Sequence, residues 1–182
     1  MTDSAPWRVL VVCVGNQCRS PLAERLLRAR LGVAGSELLV TSAGTRGPAG
    51  MPMDADAAAQ LGRLGGDADG FLSRRISPAV LAEQDLVLTA TRHLRTEVLR
   101  MAPRLMRRSF TIVELAQIIR TEELHGLAPR ALVAAAATRR ARVTADLDVA
   151  DPIGASLEVH RQVADQLADC VDQIAGALRV QP

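Results

Sequence analysis

The chain has 182 residues, 48% of them apolar and 2% aromatic, with 22 basic against 20 acidic side chains. That length suits one domain spanning residues 1–182, the apolar share supplies a packed core, and a net charge of +2 leaves no broad basic surface for nucleic acid. No apolar run approaches the ~18 residues that suggest a membrane span, and the N-terminus lacks a basic-then-apolar export signal.

Every basic residue apart from the three histidines is an arginine. The clusters Arg104, Arg107, Arg108 and Arg139, Arg140, Arg142 read as solvated helix faces. Cys13, Cys18 and Cys170 are odd in number and form no CxxC pair, which fits a reducing cytoplasm. His93, His125 and His160 share no spacing, so no metal site is expected, and no organic cofactor.

In chain order, Arg8 to Val14 is a continuously apolar, β-branched run, the pattern of a parallel strand covered on both faces. Ser20 is positioned to cap a helix with Pro21 in its first turn, Leu22, Leu26, Leu27 and Leu31 form its buried stripe, and Gly32 ends it. A second strand is expected over Leu38–Ser42, closed by the loop SAGTRGPAG, then a helix from Asp54 to Leu64. Ser77-Pro78 starts a short helix, DLVLT at Asp85–Thr89 is a buried strand, and a helix follows from Thr91 to Met101. Ser109 onward reads as a short strand entering a helix, and PRALVAAAATRRARV as another helix. TADLDVADPIGAS is a loop, and Val159, Val163, Leu167, Cys170, Val171, Ile174 and Leu178 mark a long terminal helix. Alternating strands and helices predict an α/β fold: an open parallel sheet of about four strands with helices on both faces.

The loop after the first strand, Cys13-Val14-Gly15-Asn16-Gln17-Cys18-Arg19-Ser20, is richer than a turn requires. Ligands of such sheets sit beyond the carboxyl ends of the strands, where a curled backbone and a helix N-terminus attract an anion. Arg19 adds a planar fork that matches two oxygens of a phosphate-like group. Cys13 at the foot of that loop has the surroundings of a nucleophilic thiolate. Val14, Gly15, Asn16, Gln17, Cys18, Arg19 and Ser20 are therefore the candidate phosphate-binding residues.

The segment VCVGNQCRSPLAE resembles the phosphate loop of the low-molecular-weight protein tyrosine phosphatases, a fold shared with thioredoxin-coupled arsenate reductases. The likeness extends to SAGT at Ser42–Thr45, DLVLT at Asp85 and ADPIG around Asp151, with an enlarged Arg/Ala-rich segment at 102–145. It implies that Cys13 is the nucleophile, Arg19 the clamp on the equatorial oxygens, and Asp151 the general acid and then base. Asp146 and Asp148 are nearby competitors for that last role. The resemblance further implies that Ser20 bonds the sulfur and that Asn16 shapes the loop with Ser42. Cys18 is either an inert neighbour or a redox partner that forms a disulfide with Cys13.

The implied activity is phosphomonoester hydrolysis through a cysteinyl-phosphate, on a phosphotyrosine protein or a small phosphomonoester. Phosphate, sulfate, vanadate and arsenate would be site ligands. Arsenate reduction and phosphate binding without turnover are the alternatives. The chain departs from the family where aromatic residues usually wall the substrate: Arg46 and Gly47 follow SAGT, and Ile153 and Gly154 follow the Asp-Pro. Phe71 stands where a histidine often supports the loop.

Overall fold

The computed structural model describes residues 6–32, 37–140 and 146–179. Four strands, β1 (Trp7–Cys13), β2 (Leu38–Gly44), β3 (Leu86–Thr89) and β4 (Ser109–Thr111), form one parallel sheet in the order β2-β1-β3-β4. The helices are α1 (Arg19–Leu31), α2 (Ala55–Arg63), α3 (Pro78–Ala82), α4 (Arg92–Met101), α5 (Ile112–Thr121), α6 (Pro129–Ala137) and α7 (Leu157–Leu178).

Two-residue alternation along β1 divides the core. Val9, Val11 and Cys13 point to the face covered by α1, α5 and α7, whereas Leu10 and Val12 point to the face under α3 and α4. Both sides of the strand are thus dry, which is why its sequence is a run of apolar residues rather than an alternation. The register pairs Cys13 with Gly44 and Val12 with Thr89, so three loops leave the sheet at the same carboxyl edge.

Local chemistry sets most helix starts. Asp54, Ser77, Thr91, Thr111 and Ser156 each accept a backbone N–H of the following first turn, and Glu114 completes a capping box at α5. Helix α1 is the exception and corrects the sequence reading. It starts at Arg19 with Cys18 at its cap and no side-chain cap bond, because the Ser20 hydroxyl is committed elsewhere, as described below. Helix α6 is shorter than the alanine-rich run suggested and ends at Ala137, where the Thr138 hydroxyl donates to Ala135 O.

The arginine clusters match the expected solvated faces only in part: Arg104 and Arg107 are exposed, whereas Arg108, Arg139 and Arg140 are half-buried. Arg140 lies over the Phe110 ring, 3.9 Å from its centroid, and donates to Ser109 O. Burial pushes its guanidinium down to about 10, still protonated at neutral pH. Arg139 pairs with Glu122 at 3.2 Å, Arg108 donates to Gln84 O, and Arg142 lies outside the described residues. Phe110 is the large side chain at the centre of this end of the sheet, so a cation over its ring and along its strand packs better inward than outward. Among the described residues, no helix is long and apolar enough to cross a membrane.

Candidate active site

The chain leaves β1 at Cys13, curls through residues 14–18 and enters α1 at Arg19. Its carbonyls are tied away from the centre of the curl: Cys13 O accepts from Thr45 N, Val14 O from Arg46 N, and Gln17 O from Asp54 N. The N–H groups of Gly15, Gln17 and Cys18 have no acceptor among the described residues. Orphan donors at a helix N-terminus make an anion cradle. Asn16 sits at φ 54°, in the left-handed region that asparagine tolerates better than most residues, and this conformation turns the loop back on itself.

Cys13 Sγ lies at the foot of the cradle, 3.2 Å from Asn16 N and 3.0 Å from Ser20 Oγ. Asn16 Nδ2 donates to Ser20 Oγ at 2.9 Å and to Ser42 Oγ at 2.8 Å. Since Ser20 Oγ accepts from Asn16, its own proton is available to the sulfur. Donors therefore converge on this sulfur, an arrangement that would favour negative charge on it.

Asn16, Ser20 and Ser42 are brought together by this network, which extends to two residues that sequence reasoning missed. Ser42 Oγ donates to Glu24 Oε2 at 2.6 Å; Arg74 N donates to Asn16 Oδ1 at 2.9 Å, and Arg74 Nε to Ser42 O at 2.7 Å. Glu24 was legible, as a carboxylate one turn after Ser20 on the buried stripe of α1. Arg74 had no local signal. Phe71 is packed into the core with Arg25 over its ring, so support from this segment comes through Arg74 instead.

Gly44 closes β2 directly beneath the loop. A Cβ there would stand 2.6 Å from Val14 O and 2.9 Å from both Arg46 O and Asn16 N, all backbone atoms that cannot swing aside. Gly44→Ala is expected to cost about 1–3 kcal/mol of stability and to displace the loop. Urea unfolding measures the first and phosphate affinity the second; unchanged values in both would contradict this packing.

Arg19 is 4% exposed and spans the site. Its Nη1 donates to Val149 O at 3.0 Å and its Nη2 to Asp151 Oδ2 at 2.6 Å. The loop carrying Asp151 is docked on the sheet edge by Val149 N, which donates to Ala90 O at 2.8 Å. Asp151 itself is half exposed at the mouth of the cavity, ahead of the buried Pro152. Asp146 and Asp148 face Arg92 instead, at 3.7 and 3.2 Å, and do not enter the site.

The resulting cavity, of about 190 Å³, is bounded by the loop from Cys13 to Arg19 and by Asp151 and Ile153. Trp7, Phe71 and Phe110, the chain's three aromatic residues, all lie outside its lining. Arg46, after SAGT, is turned to an ion pair with Glu97 at 2.8 Å.

The two remaining cysteines are buried thiols. Burial, with the nearby Asp54 carboxylate, drives the Cys18 thiol strongly up, and burial pushes the Cys170 thiol on α7 up to about 11. Both are protonated and weakly nucleophilic at neutral pH.

A sulfur at the end of a first parallel strand, set in an anion cradle with an arginine fork and a carboxyl at its mouth, defines a phosphate-loop α/β protein of the Cys-x5-Arg type. Residues 8–132 match the model of the low molecular weight phosphotyrosine protein phosphatases, and the chain belongs to that family. It is 39% identical over 95 residues to the low molecular weight protein-tyrosine-phosphatase Etp of Escherichia coli K12, a match covering 52% of this chain and 62% of that one. The match to that relative thus spans less than two thirds of its length. Among solved structures, the YwlE arginine phosphatase from Geobacillus stearothermophilus superposes with a TM-score of 0.71 and 26% identity, over 93% of this chain and 91% of that one. A low molecular weight protein tyrosine phosphatase from T. tengcongensis gives 0.71 and 28%, over 92% and 97%.

Proposed function

We propose that the protein is a cysteine-dependent phosphatase of the protein tyrosine phosphatase type. The observation that carries this reading is the grouping, in one cavity, of Cys13 Sγ with Ser20 Oγ at 3.0 Å and the Arg19–Asp151 pair at 2.6 Å. Phosphate binding alone requires neither a sulfur at the foot of the cradle nor a carboxyl at its mouth.

In the proposed mechanism the cradle N–H groups and the Arg19 fork take the oxygens of the phosphoryl group, where charge is spread in the transition state. Cys13 Sγ attacks phosphorus in line with the leaving oxygen, forming the S–P bond as the P–O bond to the substrate breaks. Asp151 gives its proton to that oxygen. A water then attacks the cysteinyl-phosphate, Asp151 takes the water's proton, and the S–P bond breaks with Ser20 bonded to the departing sulfur. An arriving phosphate competes with Asp151 for Arg19 Nη2, which frees the carboxyl toward the leaving oxygen. Val149 O keeps the guanidinium oriented throughout. Inorganic phosphate, sulfate, vanadate and arsenate fit the same cradle as competitive ligands. The three free cysteines support a reducing, cytoplasmic setting.

Phosphoarginine is a second reading of the substrate, favoured by the walls. Val14, Gln17 and Ile153 offer an aliphatic and amide-lined slot with no ring to stack on a phenyl group, and the likeness to an arginine phosphatase covers nearly the whole chain. An arsenate reductase needs a relay of thiols after the first attack; Cys18 borders the cavity with Cys13, but Cys170, the one later cysteine in the chain, lines a different cavity.

Steady-state rates on p-nitrophenyl phosphate, phenyl phosphate and phosphoarginine test the proposal, with wild type and Asp151→Asn side by side. Asp151→Asn is expected to lose about 10²–10⁴-fold on phenyl phosphate, whose leaving oxygen needs a proton, and much less on the nitrophenyl ester. Equal losses on both esters would remove Asp151 from the acid role. Absence of turnover on all three substrates would overturn the phosphatase reading.

A further inference from the structure

One cluster of metal-ligating side chains lies outside the chemistry described so far. Cys18 at the start of α1, Asp54 at the cap of α2 and His160 in the second turn of α7 bring a sulfur, a carboxylate oxygen and a ring nitrogen within 4.8 Å of one another. Cys18 and His160 are buried, and Asp54 is half-buried. Asp54 is held in place from two sides: its Oδ1 accepts from Ala57 N at 3.0 Å, and its own N–H donates to Gln17 O at 3.0 Å. His160 is 3% exposed, yet its imidazole makes no hydrogen bond among the described residues; it faces Asp54 Oδ1 with Nδ1 at 3.9 Å. A buried imidazole is thus set beside a thiol and a fixed carboxylate, three side chains that each offer one metal-ligating atom.

We propose that Cys18, Asp54 and His160 bind one zinc-like divalent cation at the rear of the phosphate loop. The donor set selects for it: sulfur and imidazole suit Zn²⁺ or Co²⁺, whereas Mg²⁺ and Ca²⁺ take oxygen ligands. Metal–ligand bonds of about 2.0–2.3 Å put tetrahedral ligand atoms about 3.4–3.6 Å apart, so the 3.9 Å pair needs to close by about half an ångström. On binding, Cys18 releases its thiol proton to solvent; the thiolate and the Asp54 carboxylate then balance the charge of the cation, and neutral His160 completes the three protein ligands. Cys18 also borders the catalytic cavity, so the cluster adjoins the phosphate loop directly. A metal-held Cys18 sulfur is withdrawn from any disulfide with Cys13.

The test uses Cys13→Ser, which removes the competing thiol and makes the readout independent of turnover. Titration with Co²⁺ is expected to give one equivalent bound, with a sulfur-to-cobalt charge-transfer band and tetrahedral visible bands, both displaced by Zn²⁺. Adding Cys18→Ser should remove the charge-transfer band. Adding His160→Gln or Asp54→Asn should weaken Zn²⁺ by more than the about 10–100-fold that loss of a supporting group costs. Asp54→Asn keeps its capping oxygen and so decides the matter if the histidine variant does not fold. No cobalt–sulfur band in Cys13→Ser, or a band unaffected by Cys18→Ser, would overturn the site. So would unchanged Zn²⁺ affinity in a folded Asp54 or His160 variant.

Discussion

Cys13→Ser is expected to stop turnover of aryl phosphates, by a factor of about 10⁴ or more, while leaving the fold and phosphate binding in place. The oxygen of serine is a far weaker nucleophile than a sulfur anion and a far poorer leaving group from the phosphorylated intermediate, so both half-reactions suffer. The structural cost is small because the new hydroxyl inherits partners. Asn16 N and Ser20 Oγ already converge on that position, and the site is a buried one that tolerates no unpaired polar atom. The anion cradle is made of N–H groups and Arg19 and owes nothing to the sulfur. Rates on p-nitrophenyl phosphate and a thermal melt with and without inorganic phosphate separate the two halves of this expectation. A variant that keeps a tenth of the wild-type rate would place the nucleophile elsewhere.

Arg19→Lys is expected to lower kcat/KM by about 10²–10³-fold, although the charge is retained. The guanidinium serves three acceptors in one plane: Val149 O, Asp151 Oδ2 and, in the proposed reaction, the phosphoryl oxygens. An ammonium group is a compact charge on a flexible stem and cannot hold the first while turning from the second to the third. The loss should fall mainly on kcat, because charge spreads over the equatorial oxygens only as the bonds to phosphorus loosen. Stability should fall too, by about 1–3 kcal/mol, if Val149 O is left without a donor. Steady-state kinetics with urea unfolding checks both. Retention of kcat/KM within threefold would show that the planar fork is not what the site uses.

How much of this was legible in the sequence follows from where each interaction closes. Helix starts at Asp54, Ser77 and Thr91 were readable because a cap reaches only three residues along the chain. The strand before Cys13 was readable because burial on both faces demands an unbroken apolar run. Ser20 misled for the same reason in reverse: local propensity makes it a cap, but the fold places Asn16 and Cys13 against its hydroxyl, and those bonds win.

By itself, then, the sequence determined the alternation of strands and helices, the anion-binding loop and the candidate roles of Cys13, Arg19 and Asp151. Each is written in a short contiguous pattern whose physics is local. Only the tertiary structure set Asp151 beside Arg19 and its neighbours Asp146 and Asp148 beside Arg92, since the two arginines come from distant elements. It alone turned Arg140 inward over Phe110, recruited Arg74 beneath the loop, and gathered Cys18, Asp54 and His160. Those contacts join segments far apart in the chain that the parallel sheet and its crossover helices bring together, and no spacing along the chain encodes that meeting.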